Sequence, residues 1–96
     1  MEVFLFARLY ARVGNSEAVG RAIHEVQSPT RNEPGCLDYY AFQSIQDGNE
    51  FYIHSRWKSR AAFDYHAAQP HTMSFVARVQ PLIDAPLKTV LTQRLA

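Results

Sequence analysis

Residues 33–71 read EPGCLDYYAFQSIQDGNEFYIHSRWKSRAAFDYHAAQPH, and this stretch decides the fold. Glu33-Pro34-Gly35 is a turn signal. From Cys36 to Ser44, Leu37, Tyr39 and Ala41 alternate with Cys36, Tyr40 and Phe42, the period-two pattern of a strand. Asp47-Gly48-Asn49 marks a hairpin, because Gly and Asn tolerate the positive φ of tight turns. Glu50 to Trp57 then sets Phe51, Ile53, Ser55 and Trp57 against Tyr52, His54 and Arg56, a second strand. Ser59 is placed to cap a short helix carrying Ala62, Phe63 and His66, and Pro70 ends it.

Working outward, residues 3–13 have strand composition on both faces. Val3, Leu5, Ala7, Leu9, Ala11 and Val13 form an aliphatic face; Phe4, Phe6, Arg8, Tyr10 and Arg12 form an aromatic, cationic one. A strand with one solvated face would be polar opposite its aliphatic set. This second face instead has the composition of a protein interface, the alternative being an edge strand with scattered surface aromatics. Asn15 or Ser16 is placed to cap a helix with the apolar stripe Val19, Ala22, Ile23 and Val26. Arg21 and Glu25 sit four apart on its outer side, and Pro29 is expected to stop it near Ser28. Beyond Pro70, Phe75, Val76, Val79, Leu82 and Ile83 repeat at helical core spacing, and Leu87 to Leu95 reads as a last strand. The order is β-α-β-β-α-β over a single domain, residues 1–96: an α+β, ferredoxin-like arrangement with a four-stranded antiparallel sheet and helices on one face. The uncovered sheet face predicts association with a second copy, a homodimer.

Composition narrows the function. A chain of 96 residues with 47% hydrophobic and 20% charged residues is an ordinary globular domain. Its formal net charge of +1 provides no field for nucleic acid or an anionic membrane, so neither is expected as a partner. One cysteine, Cys36, forms no internal disulfide and reads as a small buried hydrophobe. The opening MEVFLFARLYARV, interrupted by Glu2 and Arg8, has no basic leader or cleavage site, and no apolar run spans a bilayer. The expected location is cytoplasmic.

Among four histidines only His66 and His71 lie close in sequence, with no Cys-x-x-Cys or His-Glu-x-x-His beside them, so no metal site is expected. The four glycines lie far apart, and no phosphate-cradling loop exists, so no nucleotide or flavin cofactor is expected. What remains is an aromatic pocket with few polar groups, the usual make-up of a small-molecule site. Trp57 points beneath the helices with Phe51 and Ile53; Phe63 marks the buried side of the helix bearing His66; Phe75 comes from the third helix. Two readings stand for each. Trp57 and Phe75 are pocket walls or plain core, and His66 is a base or a satisfied buried histidine. His71 is a site residue or a cap on the next helix. His54 and Tyr52 share the interface-like face, and His24 is solvated.

This order of features resembles the antibiotic biosynthesis monooxygenase family: the EPG turn, an aromatic strand, a D-x-N hairpin, a strand ending R-W, then A-hydrophobic-x-x-H and P-H. The resemblance implies a dimeric α+β barrel in which two sheets pack face to face. It also implies a reaction class in which polycyclic phenols or quinols are oxidised to quinones by O2 without metal or flavin, the deprotonated substrate supplying the electrons. On that reading His66 and Trp57 are catalytic, as base or orienter and as stacking platform. Phe75, Phe63, His71 and Arg8 bind the small aromatic substrate, with Arg56 as a second candidate for a phenolate. The family's usual E-R-W reads S-R-W here, with Ser55 replacing a common Glu. The haem-degrading branch's Asn, Trp and His fall on Ala7 or Arg8, His66 and Val76, which speaks against haem degradation. Other activities fit the same scaffold: isomerisation, detoxification of reactive carbonyls, or ligand binding without catalysis.

Overall fold

A computed structural model describes residues 1–96. In chain order the elements are β1 (Val3–Tyr10), α1 (Ser16–Arg31), β2 (Cys36–Gln43), β3 (Glu50–Trp57), α2 (Arg60–Ala67), α3 (Pro70–Val79), a 3-10 turn (Gln80–Leu82) and β4 (Lys88–Thr92). All neighbouring strands are antiparallel, in the order β2-β3-β1-β4. The fold is thus the β-α-β-β-α-β arrangement that the alternation and helix signals predict.

The aliphatic face of β1 and the odd-numbered residues of β3 meet the apolar stripe of α1 and the inner side of α3. Leu9, Val19, Ile23, Ile53 and Val79 are core residues of this layer. The other sheet face carries no helix. Phe6, Tyr40, Phe42, Tyr52 and Val90 are exposed there, and His54 sits 6.1 Å from Phe4 and 4.8 Å from Phe6, ring centre to ring centre.

Several local expectations are corrected. β1 ends at Tyr10, not at 13, because the chain's bonding changes partner: Ala11 bridges Ile83, the Arg12 amide donates to Leu82, and Val13 is exposed. α1 continues past Pro29 to Arg31. Proline removes one backbone donor, but fully buried Thr30 and the Arg31 guanidinium, which donates to the Tyr39 carbonyl at 2.7 and 3.0 Å, hold the last turn in place. Glu25 pairs with Arg78 of α3 and so ties the two helices together, where the sequence spacing suggests Arg21. The β2–β3 connection needs no positive φ: Gly14 alone adopts one, and the hairpin is shaped by Asp47 accepting from the Asn49 amide and Ser44 from those of Gln46 and Asp47. Finally, β2 opens with a bulge. Cys36 pairs with Trp57 and Asp38 with Arg56, so Leu37 is the extra residue. The bulge turns Cys36 toward the core and leaves Leu37 exposed, reversing the simple alternation. Val76, expected in the core, is exposed at the rim of a hollow described below, and β4 is confined to Lys88–Thr92.

Candidate active site

The site is built where the α1–β2 turn meets the α2–α3 corner. Ser59 caps α2, its hydroxyl accepting from the Ala62 amide at 3.1 Å, and the eight-residue helix carries His66 into its last turn. Pro70 starts α3, so His71 and Thr72 lie in its first turn. Gly35 lets the α1–β2 turn slide under α2: a Cβ there would stand 2.3 Å from that of Ala62. Its carbonyl accepts from the Lys58 amide at 3.0 Å. That close approach brings Glu33 beneath both histidines.

Glu33 is 7% exposed, and one of its oxygens, Oε2, lies 2.7 Å from His66 Nδ1 and 2.7 Å from His71 Nε2. An ionised carboxylate only accepts, so both ring nitrogens are N–H donors to it. The tautomer of His66 follows: Nδ1 carries the proton, and Nε2 is left with the basic lone pair. Thr72 Oγ1 stands 3.2 Å from the same Nδ1, a second acceptor on that side. The other carboxylate oxygen, Glu33 Oε1, is buried without a hydrogen-bond partner. Burial pushes the His66 pKa below its ordinary value, Glu33 partly offsets this, and His71 adds to the lowering. His66 is therefore a neutral, oriented imidazole at neutral pH.

The imidazole rests on Trp57, with ring centres 4.4 Å apart and planes 27° from parallel. Trp57 has no exposed surface, and its indole N–H donates to Ser55 Oγ at 2.9 Å. The family's departure at Ser55 thus has a local role: it satisfies a buried donor. Above this stack lies a cavity of about 120 Å3 between sheet and helices. Its walls are mainly apolar, Tyr39, Ile53, Phe63 and Phe75 among them; its polar members are His66, Thr72 and Thr89. Burial drives the Tyr39 pKa up and that of Cys36 up to about 11, so neither ionises as a competing acid.

The structure therefore brings together His66, Trp57, Phe63 and Phe75, and ties His71 to His66 through Glu33. Trp57 does not reach the cavity; its ring face is taken by His66, which makes it a support for the base and not a platform for substrate. Arg8 is elsewhere. It lies on the open sheet face, 3.4 Å from Glu50 and over the Tyr10 ring, and Arg56 pairs there with Asp38 and Glu2. Side chains alternate across a strand, so neither guanidinium can serve a site on the helix side. Glu33 is the residue that sequence reading misses, since an acid before Pro-Gly looks like a solvated turn. The contact that gives it meaning spans 33 residues to His66 and 38 to His71.

Glu33, His66 and His71 place donor atoms within 4.8 Å of one another, a set that could hold a cation. The 2.7 Å spacings are those of hydrogen bonds. Ligand bonds of about 2.0–2.2 Å put neighbouring donors roughly 3 Å or more apart, so the cluster would have to open to take a first-row ion.

A four-stranded antiparallel sheet with helices on one face, and between them an apolar cavity with one oriented histidine, define an α+β domain of the ferredoxin-like type. Comparison with known proteins gives it a family. The antibiotic biosynthesis monooxygenase pattern matches residues 3–78, and the chain belongs to that family. Among relatives, "Putative monooxygenase Rv0793" of Mycobacterium tuberculosis is 33% identical over 85 residues, 88% of this chain and 83% of that protein. The solved structure of Rv0793 superposes with a TM-score of 0.94, covering 100% of this chain and 97% of that one. PA3566 of Pseudomonas aeruginosa superposes at 0.91 with 30% identity, over 99% and 95% of the two chains.

Proposed function

We propose that this protein is a cofactor-independent monooxygenase that oxidises a phenolic or quinol-type aromatic with O2, working as a homodimer. The observation that carries the reading is His66: a neutral imidazole whose Nδ1–H is held by buried Glu33, facing an apolar cavity. Family membership and the relatives' names support the oxygenase class.

For a simple phenol the chemistry balances as phenol plus O2 giving quinone plus water. His66 Nε2 takes the phenolic proton, breaking O–H and forming N–H. The phenolate is the reductant; its para carbon bonds to O2, and the peroxide so formed takes a proton from His66. Loss of the para hydrogen as a proton with cleavage of O–O then releases water and leaves the second C=O. The protein's tasks are to orient the base, to position the ring and to exclude water from the charged intermediate. Glu33 stabilises the imidazolium that forms. Trp57 and His71 act through their contacts with His66 and Glu33, while Phe63 and Phe75 confine the ring.

Oxygen uptake with a panel of phenols and quinols, using protein freed of metal and flavin, tests this. Uptake that His66→Ala abolishes is expected; uptake that survives both His66→Ala and Trp57→Ala would overturn the site, and binding without turnover would leave a ligand-binding dimer.

A further inference from the structure

We infer that the substrate is a one-ring phenol bearing an apolar chain: the ring sits in the cavity beside His66, and the chain leaves past Thr89 into a neighbouring groove. This rests on the phenol reading of the site and deepens it. A cavity of about 120 Å3 is on the scale of a single ring: an apolar engineered cavity of about 150 Å3 takes benzene. Pockets that enclose larger, drug-sized ligands start at about 300 Å3, so a fused three-ring system does not fit within the cavity itself.

The cavity has two unlike ends. His66 and Thr72, in contact with each other, form the polar end, with Phe63 in the wall. Thr89, Leu87 and Val76 form the other end, and all three also line a groove of about 550 Å3 between α3 and β4. A phenolic hydroxyl directed at His66 therefore points the far side of the ring at this mouth. Beyond it, Leu87 and Pro86 offer apolar surface, while Arg12 and Asp84, paired at 3.9 Å, lie among the groove's polar lining. A second hollow, over the outer faces of α2 and α3, shares Ala67, Thr72 and Val76 with the cavity. Only Val76 joins it to the mouth, whereas Val76, Leu87 and Thr89 all join the mouth to the larger groove, which is the wider way out for an apolar chain.

The test is a binding series of 3-alkylphenols, which keep the para carbon free, measured calorimetrically from phenol through 3-methyl- to 3-pentylphenol, with anthrone as the fused three-ring comparison. Each methylene that reaches the groove should tighten binding about fourfold, and anthrone should bind more weakly than 3-pentylphenol. Thr89→Trp fills the mouth at an exposed position and should flatten the series; Pro86→Trp, in the groove alone, should flatten only its longer members. A flat series in the unsubstituted protein, an unchanged gradient in Thr89→Trp, or tighter binding of anthrone would overturn the inference. The two claims separate cleanly. Alkylphenols that bind along the gradient but consume no O2 sink the oxygenase reading alone, and oxidation confined to fused polycycles sinks this one alone.

Discussion

Three side chains, Glu33, His66 and Trp57, carry the account at the residue scale, and each depends on a neighbour it cannot do without. Glu33→Gln keeps the shape of the side chain but removes the charge that holds Nδ1–H and stabilises the imidazolium. Loss of about a hundredfold or more in kcat/KM is expected, with the acidic limb of the pH profile moved to a lower pKa because Glu33 raises that of His66; a catalytic histidine left without its orienting carboxylate can lose about ten-thousandfold. Ser55→Ala strands the buried Trp57 N–H and should cost about 1–3 kcal/mol in denaturant unfolding. His66 also gives stability a pH dependence whose sign is fixed. Its folded pKa lies below the unfolded value of about 6.5, so the unfolded chain binds the extra proton. Stability from neutral His66 is complete above that value and is lost as pH falls below it. Thermal midpoints measured across this window should decline on acidification, and His66→Gln should flatten that part of the decline.

At the scale of elements, the turn and the helix corner are one device. Gly35 is buried under α2 because nothing larger fits, so Gly35→Ala should push α2 outward, destabilise the fold by about 2 kcal/mol or more, and lower activity through a displaced His66. Urea unfolding and oxygen uptake on the same variant check both effects; wild-type stability would show that the turn and helix are not in contact as described. Much of this level is legible in the sequence. Alternation in β1 and β3 and the Ser59 cap are local signals, and the structure repeats them; Pro70, read as the end of α2, is the first residue of α3. The bulge at Leu37 and the persistence of α1 through Pro29 are not local. Each is decided by a contact outside the segment itself: the partner strand β3 for the bulge, and the Tyr39 carbonyl reached by Arg31 for the end of the helix. The same reason hides half of the site: His66 stands out by its helix position, while Glu33 acquires meaning only when two distant elements close on it.

At the scale of the whole molecule, the open sheet face remains to be covered. Phe6, Tyr40, Phe42 and Val90 are each close to half exposed on it, a concentration of apolar surface that marks an interaction site. Two such faces packed together would give the homodimer. Phe6→Glu with Phe42→Glu should turn a dimer into a monomer in sedimentation equilibrium, whereas a wild-type monomer at micromolar concentration would remove the dimer from the account. That His66 beside an apolar cavity drives oxygenation by O2 itself is tested most directly by isotope. Metal- and flavin-free protein should turn over a 3-alkylphenol under 18O2 to a quinone carrying one labelled oxygen, and His66→Ala should yield none. Equal labelling by His66→Ala, or quinone oxygen drawn only from water, would contradict it.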